Sequence, residues 1–265
     1  MPHIVVAMKR VAGAVSVVLV AASLAGCSMI DPTGTLERRI EREFANDPAI
    51  ESLDISQNTP LPFSGDVDAH VWVRLDASDE QILDVQERLL GFEEHAPSQV
   101  GHFSSLITIG KVTFSVDDDA RGRADGVRFA RAVSEDPRVE SLRLSGGLND
   151  LRHADFTVTD SEDFLGVLAQ WHNAVEDLGI SDDFTYEVDM PISSRDDSRF
   201  QAQASELGYW ASVWHALETD YDAKTIEMSS DDIYVEVSDF NQIGPAEDFL
   251  SSVMDQDTFT VTLGF

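Results

Sequence analysis

The sequence predicts an α+β fold built from about three pseudo-repeats with the order helix-strand-strand-helix-strand. Segment 47–56 (DPAIESLDIS) recurs as 136–145 (DPRVESLRLS), with six of ten positions identical at an offset of 89 residues. Around both copies, apolar residues recur every three or four positions, as in amphipathic helices, or alternate, as in half-buried strands. Two such helices covering one apolar face of three strands would form a two-layer α/β-sandwich module.

The first repeat is predicted to span residues 36–117. Its first helix should carry Leu36, Ile40 and Phe44 on one face. Two strands are expected to follow, one at 50–56 and one at 69–75 with Ala69, Val71, Val73 and Leu75 on one face. The capping box Ser78–Gln81 should then begin a helix with Ile82, Val85, Leu89 and Phe92 on one stripe. An extended segment at 105–116, bent near Gly110, is expected to end the repeat.

The second repeat is predicted to span 118–190 and the third 191–265. In the second we expect a helix at about 124–135, the copied segment, a strand at 154–159, a helix with Phe164, Leu168, Trp171, Val175 and Leu178 on one face, and a strand at 184–190. In the third we expect a helix from Arg199 that carries Phe200, Ala204, Leu207, Ala211 and Trp214, strands at 223–228 and 233–237, a helix started by Pro245, and a strand at 258–263. Asp220 and Ser229 take the places of Asp136 and Ser145 at an offset of 84. One compact body and three loosely touching modules both fit this pattern.

The first 26 residues have the three parts of an export signal. Lys9 and Arg10 precede an apolar stretch at 11–24, which ends in Leu24-Ala25-Gly26-Cys27. These four residues resemble the lipobox of bacterial lipoproteins. The resemblance implies that Cys27 receives a thioether-linked diacylglycerol, that the signal peptide 1–26 is cleaved, and that residues 27–35 tether the chain to the lipid bilayer. The expected location is the extracytoplasmic face of the cell membrane.

Two other interpretations of this segment stay open. A membrane-spanning helix is one, although the uncharged stretch 11–26 is shorter than the roughly 20 residues that a bilayer requires. An ordinary secretory signal with an incidental cysteine is the other, although the only cysteine of the chain falls at this position. Met8, directly before Lys9 and Arg10, would also make a more typical signal start than Met1.

The chain is strongly acidic. It has 49 acidic and 18 basic residues among 265, for a net charge of −31, and the export signal contains none of the acidic ones. Such a surface repels nucleic acid and anionic lipid headgroups and favours cations or basic partners. Solubility, salt tolerance and recognition are all compatible with it. Since Cys27 is the single cysteine, the fold relies on packing without an intramolecular disulfide.

The order of elements in each repeat is similar to that of BON modules, which recur in tandem in bacterial envelope proteins, including lipoproteins. The similarity implies an envelope role and an association with phospholipid. BON modules typically place glycines around their second strand, whereas Val71-Trp72-Val73-Arg74 and Phe156-Thr157-Val158-Thr159 contain none. No functional residue is therefore carried over.

Motifs of catalysis or metal binding are not found in the sequence. In an EF-hand frame starting at Asp117, arginines would occupy positions 5 and 12, so the acidic run 117–119 is expected to be a solvated linker. Trp171-His172 and Trp214-His215 are expected to be core tryptophans beside boundary histidines. The segment 101–105 (GHFSS) lacks the second glycine of a nucleophile elbow, and Gly146-Gly147 is expected to form a turn. We predict no catalytic, cofactor-binding or metal-binding residues.

These observations favour a non-catalytic binding or interaction module of the cell envelope, anchored through Cys27, with an unknown envelope component as its partner. A carrier for a lipid or small apolar ligand is the first alternative, which an apolar cavity above about 300 Å³ would support. A hydrolase of envelope polymers is the second alternative. It would require convergent carboxylates in a cleft.

Overall fold

The computed structural model of the protein describes residues 32–61, 64–147, 150–159, 164–179, 184–189, 199–229, 232–254 and 260–264. The chain is α+β, as predicted. The described helices are α1 (Pro32–Phe44), α2 (Asp79–Glu94), α3 (Ala120–Glu135), α4 (Phe164–Asp177), α5 (Leu207–Asp220) and α6 (Ile243–Val253). The strands are β1 (Ile50–Leu61), β2 (Ser64–Val73), β3 (Val100–Ile109), β4 (Val112–Ser115), β5 (Val139–Ser145), β6 (His153–Val158), β7 (Thr185–Asp189), β8 (Arg199–Gln203), β9 (Ala223–Met228), β10 (Asp232–Val237) and β11 (Thr260–Gly264). The strands follow one another in the sheet in chain order.

The described residues fall into two compact units. Unit one comprises residues 32–46, 55–61, 64–69 and 92–104, and unit two comprises all the others. The predicted boundaries of the three repeats, at 36–117, 118–190 and 191–265, stay a prediction. Helix α1 begins at Pro32, inside the segment that was expected to be a tether.

Unit one is held together by the predicted apolar face of α1. Leu36, Ile40 and Phe44 are all buried, because their spacing of four residues places them on one side of the helix. The ring of Phe44 lies 6.1 Å from that of Phe92, and the Arg39 guanidinium lies 5.3 Å from the centre of the Phe92 ring. The contact between the guanidinium and the ring is a cation–π interaction at the border of this small core.

The sheet of unit two alternates between two kinds of strand pair. Antiparallel hairpins join β3 to β4, β5 to β6, β7 to β8 and β9 to β10. Parallel pairs join β4 to β5, β6 to β7, β8 to β9 and β10 to β11, and one helix connects the two strands of each parallel pair. The second and third predicted repeats therefore share one continuous sheet, because β7 of one is hydrogen-bonded to β8 of the next.

One face of this sheet is covered by helices, and none of the described helices covers the other, which we call the open face. The register aligns the buried side chains of successive strands on one side; examples are Val112, Leu142, Phe156, Val188, Phe200, Met228 and Ile233. Ring contacts show that neighbouring helices lie side by side on that face: Phe129 of α3 contacts Trp171 of α4 at 5.8 Å, and Phe164 of α4 contacts Trp214 of α5 at 4.9 Å. Unit two is thus a two-layer α/β structure.

The crossovers between parallel strands alternate in hand. Strand direction reverses at every hairpin, while the chain advances across the sheet in one direction with its helices on one face. The crossovers through α4 and α6 must therefore have the opposite hand from those through α3 and α5. One of the two pairs is left-handed, which is rare among parallel connections.

The same backbone hydrogen bond closes each of the three repeats. Arg74 donates to the carbonyl oxygen of Ala49 at 2.8 Å, Thr159 to that of Arg138 at 2.8 Å, and Ser238 to that of Asp222 at 3.1 Å. The acceptors are separated by 89 and 84 residues, which are the two offsets found in the sequence. The third, weakest copy therefore has this hydrogen bond at the offset found in the sequence.

The aspartate that starts each Asp-Pro segment has the same structural role in the first two copies. The Oδ1 atom of this aspartate accepts a hydrogen bond from the backbone N–H two residues later. Ala49 donates to Asp47 and Arg138 donates to Asp136, both at 2.9 Å. An arginine pairs with each carboxylate: Arg88 with Asp47, and Arg138 with Asp136. The Arg138 side-chain hydrogen bonds lower the pKa of Asp136 below its ordinary value.

Several expected features differ from the observed ones. The segment 105–116 is not a bent strand but a hairpin, and its turn needs Gly110 because the φ angle there is +60°. Residues 199–203, expected to start a helix, form β8, and α5 begins only at Leu207 after a short 3₁₀ turn. Leu75, expected on the buried face of β2, follows the end of that strand and is 57% exposed.

Gln86 is a buried amide in the apolar stripe of α2, and it provides a test of this core. Its side chain is fully buried beside Val85, and within the described part of the chain neither its amide nitrogen nor its oxygen has a hydrogen-bond partner. Gln86→Leu should raise the free energy of unfolding by about 1–3 kcal/mol, because it removes an unsatisfied amide at similar volume. Urea denaturation followed by tryptophan fluorescence measures this change.

The neighbouring Glu87→Leu is the matched control, since Glu87 is exposed on the same helix. It should change the free energy of unfolding by less than about 0.5 kcal/mol. A loss of stability in Gln86→Leu would mean that the amide makes a hydrogen bond that the account above does not include.

Candidate functional site

A row of polar side chains crosses the open face of unit two. It comprises Thr108, Thr113, Arg143, Asp155, Glu187 and Gln201, one from each strand from β3 to β8, and each is the register partner of the next. Six strands spaced by about 4.8 Å make this polar row roughly 24 Å long. Because side chains alternate along a strand, the same register that builds the apolar core places these residues on the opposite face.

Two hydroxyl groups and a histidine form one end of the polar row. His70 Nε2 lies 2.7 Å from Thr108 Oγ1, which in turn lies 2.7 Å from Thr113 Oγ1. The His70 ring stacks on Trp72 with 3.6 Å between the ring centres. Burial lowers the pKa of His70 below its ordinary value, and the positive charge of Arg143 adds to this, while Asp54 opposes it. The surroundings of His70 therefore favour its neutral form, which can both donate and accept a hydrogen bond.

A carboxylate with two partners lies near the other end of the polar row. Glu187 Oε1 forms an ion pair with Arg199 on β8, and Glu187 Oε2 lies 3.1 Å from His153 Nε2 on β6. Between the two ends, Arg143 faces Asp155 across β5 and β6, an opposite-charge cross-strand pair. The polar row thus contains donors and acceptors of both signs on a flat surface.

Such a surface is suited to recognition by many hydrogen bonds rather than to chemistry at one atom. Asp155 and Glu187 are neighbouring carboxylates, but they lie on the open face rather than in a cleft, and Glu187 forms an ion pair with Arg199. Among the described residues, no group of three His, Cys, Asp or Glu side chains is placed to hold a metal ion. None of the described helices is both long and apolar enough to span a bilayer.

The residues of the lipobox-like motif, Leu24, Ala25, Gly26 and Cys27, lie outside the described residues. Lipidation at Cys27 and cleavage before it therefore stay predictions.

The acidic run 117–119 is part of a helix start. Asp119 is the N-cap of α3 and accepts a hydrogen bond from the Gly122 backbone at 2.9 Å. Arg123 turns back to donate to the carbonyl oxygens of Asp117 and Asp118. Asp118 and Asp119 are exposed, but Asp117 is buried. The expectation of a fully solvated linker is therefore wrong for Asp117, since its carboxylate packs against Gly147, where a Cβ would lie 2.5 Å from Asp117 Cγ.

Both tryptophans of the Trp-His pairs lie in the core as expected, but only His172 lies at the boundary of the core, whereas His215 is exposed. Trp171 and Trp214 are buried beneath the helices, at 5% and 2% exposure. His172 is half-buried, with Nδ1 3.2 Å from Tyr186 Oη, and His215 is exposed. The two histidines are on different helices and do not share a site.

The remaining sequence motifs also take structural roles. Segment 101–105 belongs to β3, where Phe103 is buried and Ser104 donates to Asp68. Gly146 adopts a φ angle of +106° in the turn after β5, so the predicted turn is confirmed.

Sequence reasoning did not single out the polar row. Alternation in β2 and β6 already indicated which side chains oppose the apolar ones. The row itself depends on the register between residues that are about 30 positions apart, such as Thr113 of β4 and Arg143 of β5, which a helical crossover separates. No local sequence signal encodes that register.

Comparison of the chain with protein-family models, with curated proteins and with solved structures gave no match.

His70 should make the stability depend on pH. The folded protein binds a proton at His70 less tightly than the unfolded chain does, whose ordinary pKa is 6.5. The unfolded state therefore takes up more protons in acid, and the free energy of unfolding should fall as the pH drops below about 6.5. His70→Gln should flatten this dependence between about pH 7 and pH 5, as measured by urea denaturation at each pH.

His215→Gln serves as the control, because His215 is an exposed histidine. Its pH dependence should match that of the wild type. If His70→Gln and the wild type also follow parallel curves, His70 is not held neutral by its surroundings.

Proposed function

We propose that the chain is a lipid-anchored, non-catalytic binding module on the extracytoplasmic face of the cell membrane. In this proposal the open face of unit two contacts a positively charged protein of the envelope. The observation that supports it best is the polar row, because donors and acceptors from six strands are aligned on a surface that no described helix covers.

Charge supports the choice of partner. The net charge of −31 repels nucleic acid and anionic polymers and accelerates the approach of a cationic protein. The open face has no large exposed apolar side chain among the described residues, since the three that exist, Leu75, Tyr209 and Phe240, lie in turns or on a helix. A polar, hydrated interface with a protein fits such a surface better than contact with lipid tails.

The resemblance of Leu24-Ala25-Gly26-Cys27 to a lipobox supports the proposed location at the cell membrane. A diacylglycerol on Cys27 provides two acyl chains, which suffice for stable anchoring because each buried CH₂ contributes about 0.8 kcal/mol. The described part of the chain begins with helix α1 at Pro32, five residues after Cys27 in the sequence.

A carrier for an apolar ligand is the second candidate function, and one observation favours it. The described residues of α6 and β11 line a cavity of about 420 Å³. This volume exceeds the roughly 300 Å³ expected of a ligand pocket. The cavity is open along the edge of the sheet rather than enclosed between sheet and helices. An open cavity of this kind suits a segment of a protein better than a small apolar ligand.

Cys27→Ala tests both parts of the proposal. The variant should lose membrane association, because it cannot be lipidated, and it should appear in the soluble extracytoplasmic fraction. In-cell crosslinking followed by mass spectrometry should capture one discrete basic envelope protein with the wild type and lose it, or most of it, with Cys27→Ala.

Ser28→Ala is the control, since it changes the residue beside the anchor and leaves the cysteine in place. It should behave as the wild type in both assays. A Cys27→Ala protein that stays fully membrane-bound would contradict the lipid anchor. Failure of the anchored wild type to capture any partner would contradict the binding function.

A further inference from the structure

The last strand of the sheet is incompletely covered. Val261 and Leu263 of β11 lie on the apolar face beside Ile233 and Val235 of β10. The β10 residues are 1% and 0% exposed, whereas both β11 residues are only half-buried. The apolar layer therefore continues to β11, the last described strand, and the described residues cover it only in part there.

Helix α6 forms the other wall of this opening. Leu250, which is fully buried, lies at its base with Met254, and Ile243, Glu247 and Ser251 line it from the helix. Together with Val261 and Leu263 they line the open cavity of about 420 Å³, which we call the α6–β11 groove. It is bounded on one side by a helix and on the other by a strand that, among the described residues, pairs on one side only.

A groove between a helix and an edge strand can bind an extended segment as an additional strand. Backbone groups of the segment then pair with the free edge, and every second side chain enters the groove. Half-buried valine and leucine side chains on β11 would become fully buried on such pairing, which is favourable.

The charge around the groove determines the character of the segment. Lys224 is the last basic residue of the chain, and no lysine, arginine or histidine follows it, while nine acidic residues do. Glu247 lines the groove, Asp248 is exposed on the same helix, and Asp232 and Glu236 lie on the open face of the neighbouring strand β10. A second copy of this chain would bring like charges together at the same edge, which disfavours an edge-to-edge dimer.

We propose that the α6–β11 groove binds an extended protein segment in which apolar residues alternate with basic ones, and that this segment adds to β11 as the next strand. The inference rests on the proposed binding function and names the way in which the partner is held. Its apolar side chains enter the groove and contact Leu250, Val261 and Leu263. Its basic side chains alternate with them and therefore lie on the open face of the sheet, the face that carries Asp232 and Glu236 of β10.

The test uses the full-length protein purified in a neutral detergent and four ten-residue peptides with blocked ends. One peptide alternates valine with lysine, the second alternates valine with glutamate, the third alternates serine with lysine, and the fourth is the valine-lysine peptide with N-methylated valines. Fluorescence anisotropy at about 150 mM salt measures binding, so that surface attraction is largely screened. The valine-lysine peptide should bind at least about tenfold more tightly than each of the other three.

Two matched pairs of variants locate the binding. Ser251→Trp fills the groove and Glu236→Lys reverses a charge on the open face of β10, and we call these two the groove variants. Ser252→Trp and Asp248→Lys make the same kinds of change at exposed positions of α6 that do not line the groove. The groove variants should weaken binding of the valine-lysine peptide by about tenfold or more, and their controls by less than about twofold.

Equal binding of the valine-lysine and serine-lysine peptides would overturn the proposal, since it would indicate attraction to surface charge alone. Equal effects of the groove variants and their controls would overturn it too. The inference also fails if a neutral single-chain lipid binds in the groove and no peptide does, which would favour the ligand carrier. Failure of the proposed function itself is seen separately, in the location and capture of the protein in cells.

Discussion

The register of the strands is the constraint on which the structure of unit two depends. From β4 to β11, every strand directs its apolar side chains to the same face. In each pair of neighbouring strands, buried residues lie opposite buried residues; Leu142 pairs with Phe156, for example, and Phe156 with Val188. A slip by one residue in any pair would exchange the buried and open sides of that strand. The core and the polar row are therefore two results of one arrangement.

The alternating hand of the crossovers has a simple origin in the repeats. Helices α4 and α6 lie inside their repeats and connect equivalent strands, so they share one hand. Strands β4 and β8 are additional to the predicted order of elements, and each joins one repeat to the next by pairing with its neighbours on both sides. Because each joining strand reverses direction while the helices stay on one face, the crossovers through α3 and α5 take the other hand. A rarely observed hand is thus the consequence of fusing similar units into one sheet.

The sequence predicted what local periodicity determines. The stripe of Ile82, Val85 and Leu89, the capping box of Ser78 and Gln81, and the repeat offsets are all found in the structure, because each depends on residues close together in the chain. Strand β8 was missed because its pattern is ambiguous. Phe200, Ala204 and Leu207 are spaced as on a helix, yet Phe200 and Ala202 alternate into the core as on a strand. The polar row and the α6–β11 groove could not be predicted, since both require the pairing of distant strands and the position of the sheet edge.

The most direct test of the account is whether the open face is covered in the cell. The only native cysteine, Cys27, is the expected lipidation site, so a cysteine introduced at Thr113 on the polar row would be the single reactive thiol. A cysteine at Glu218, exposed on α5, is its counterpart on the helical side. The rate of labelling by a membrane-impermeant maleimide is compared between intact cells and purified protein. We expect Thr113→Cys to be protected several-fold in cells and Glu218→Cys to react equally in both. Equal reactivity of Thr113→Cys in cells and in purified protein would contradict the claim that the open face contacts a partner.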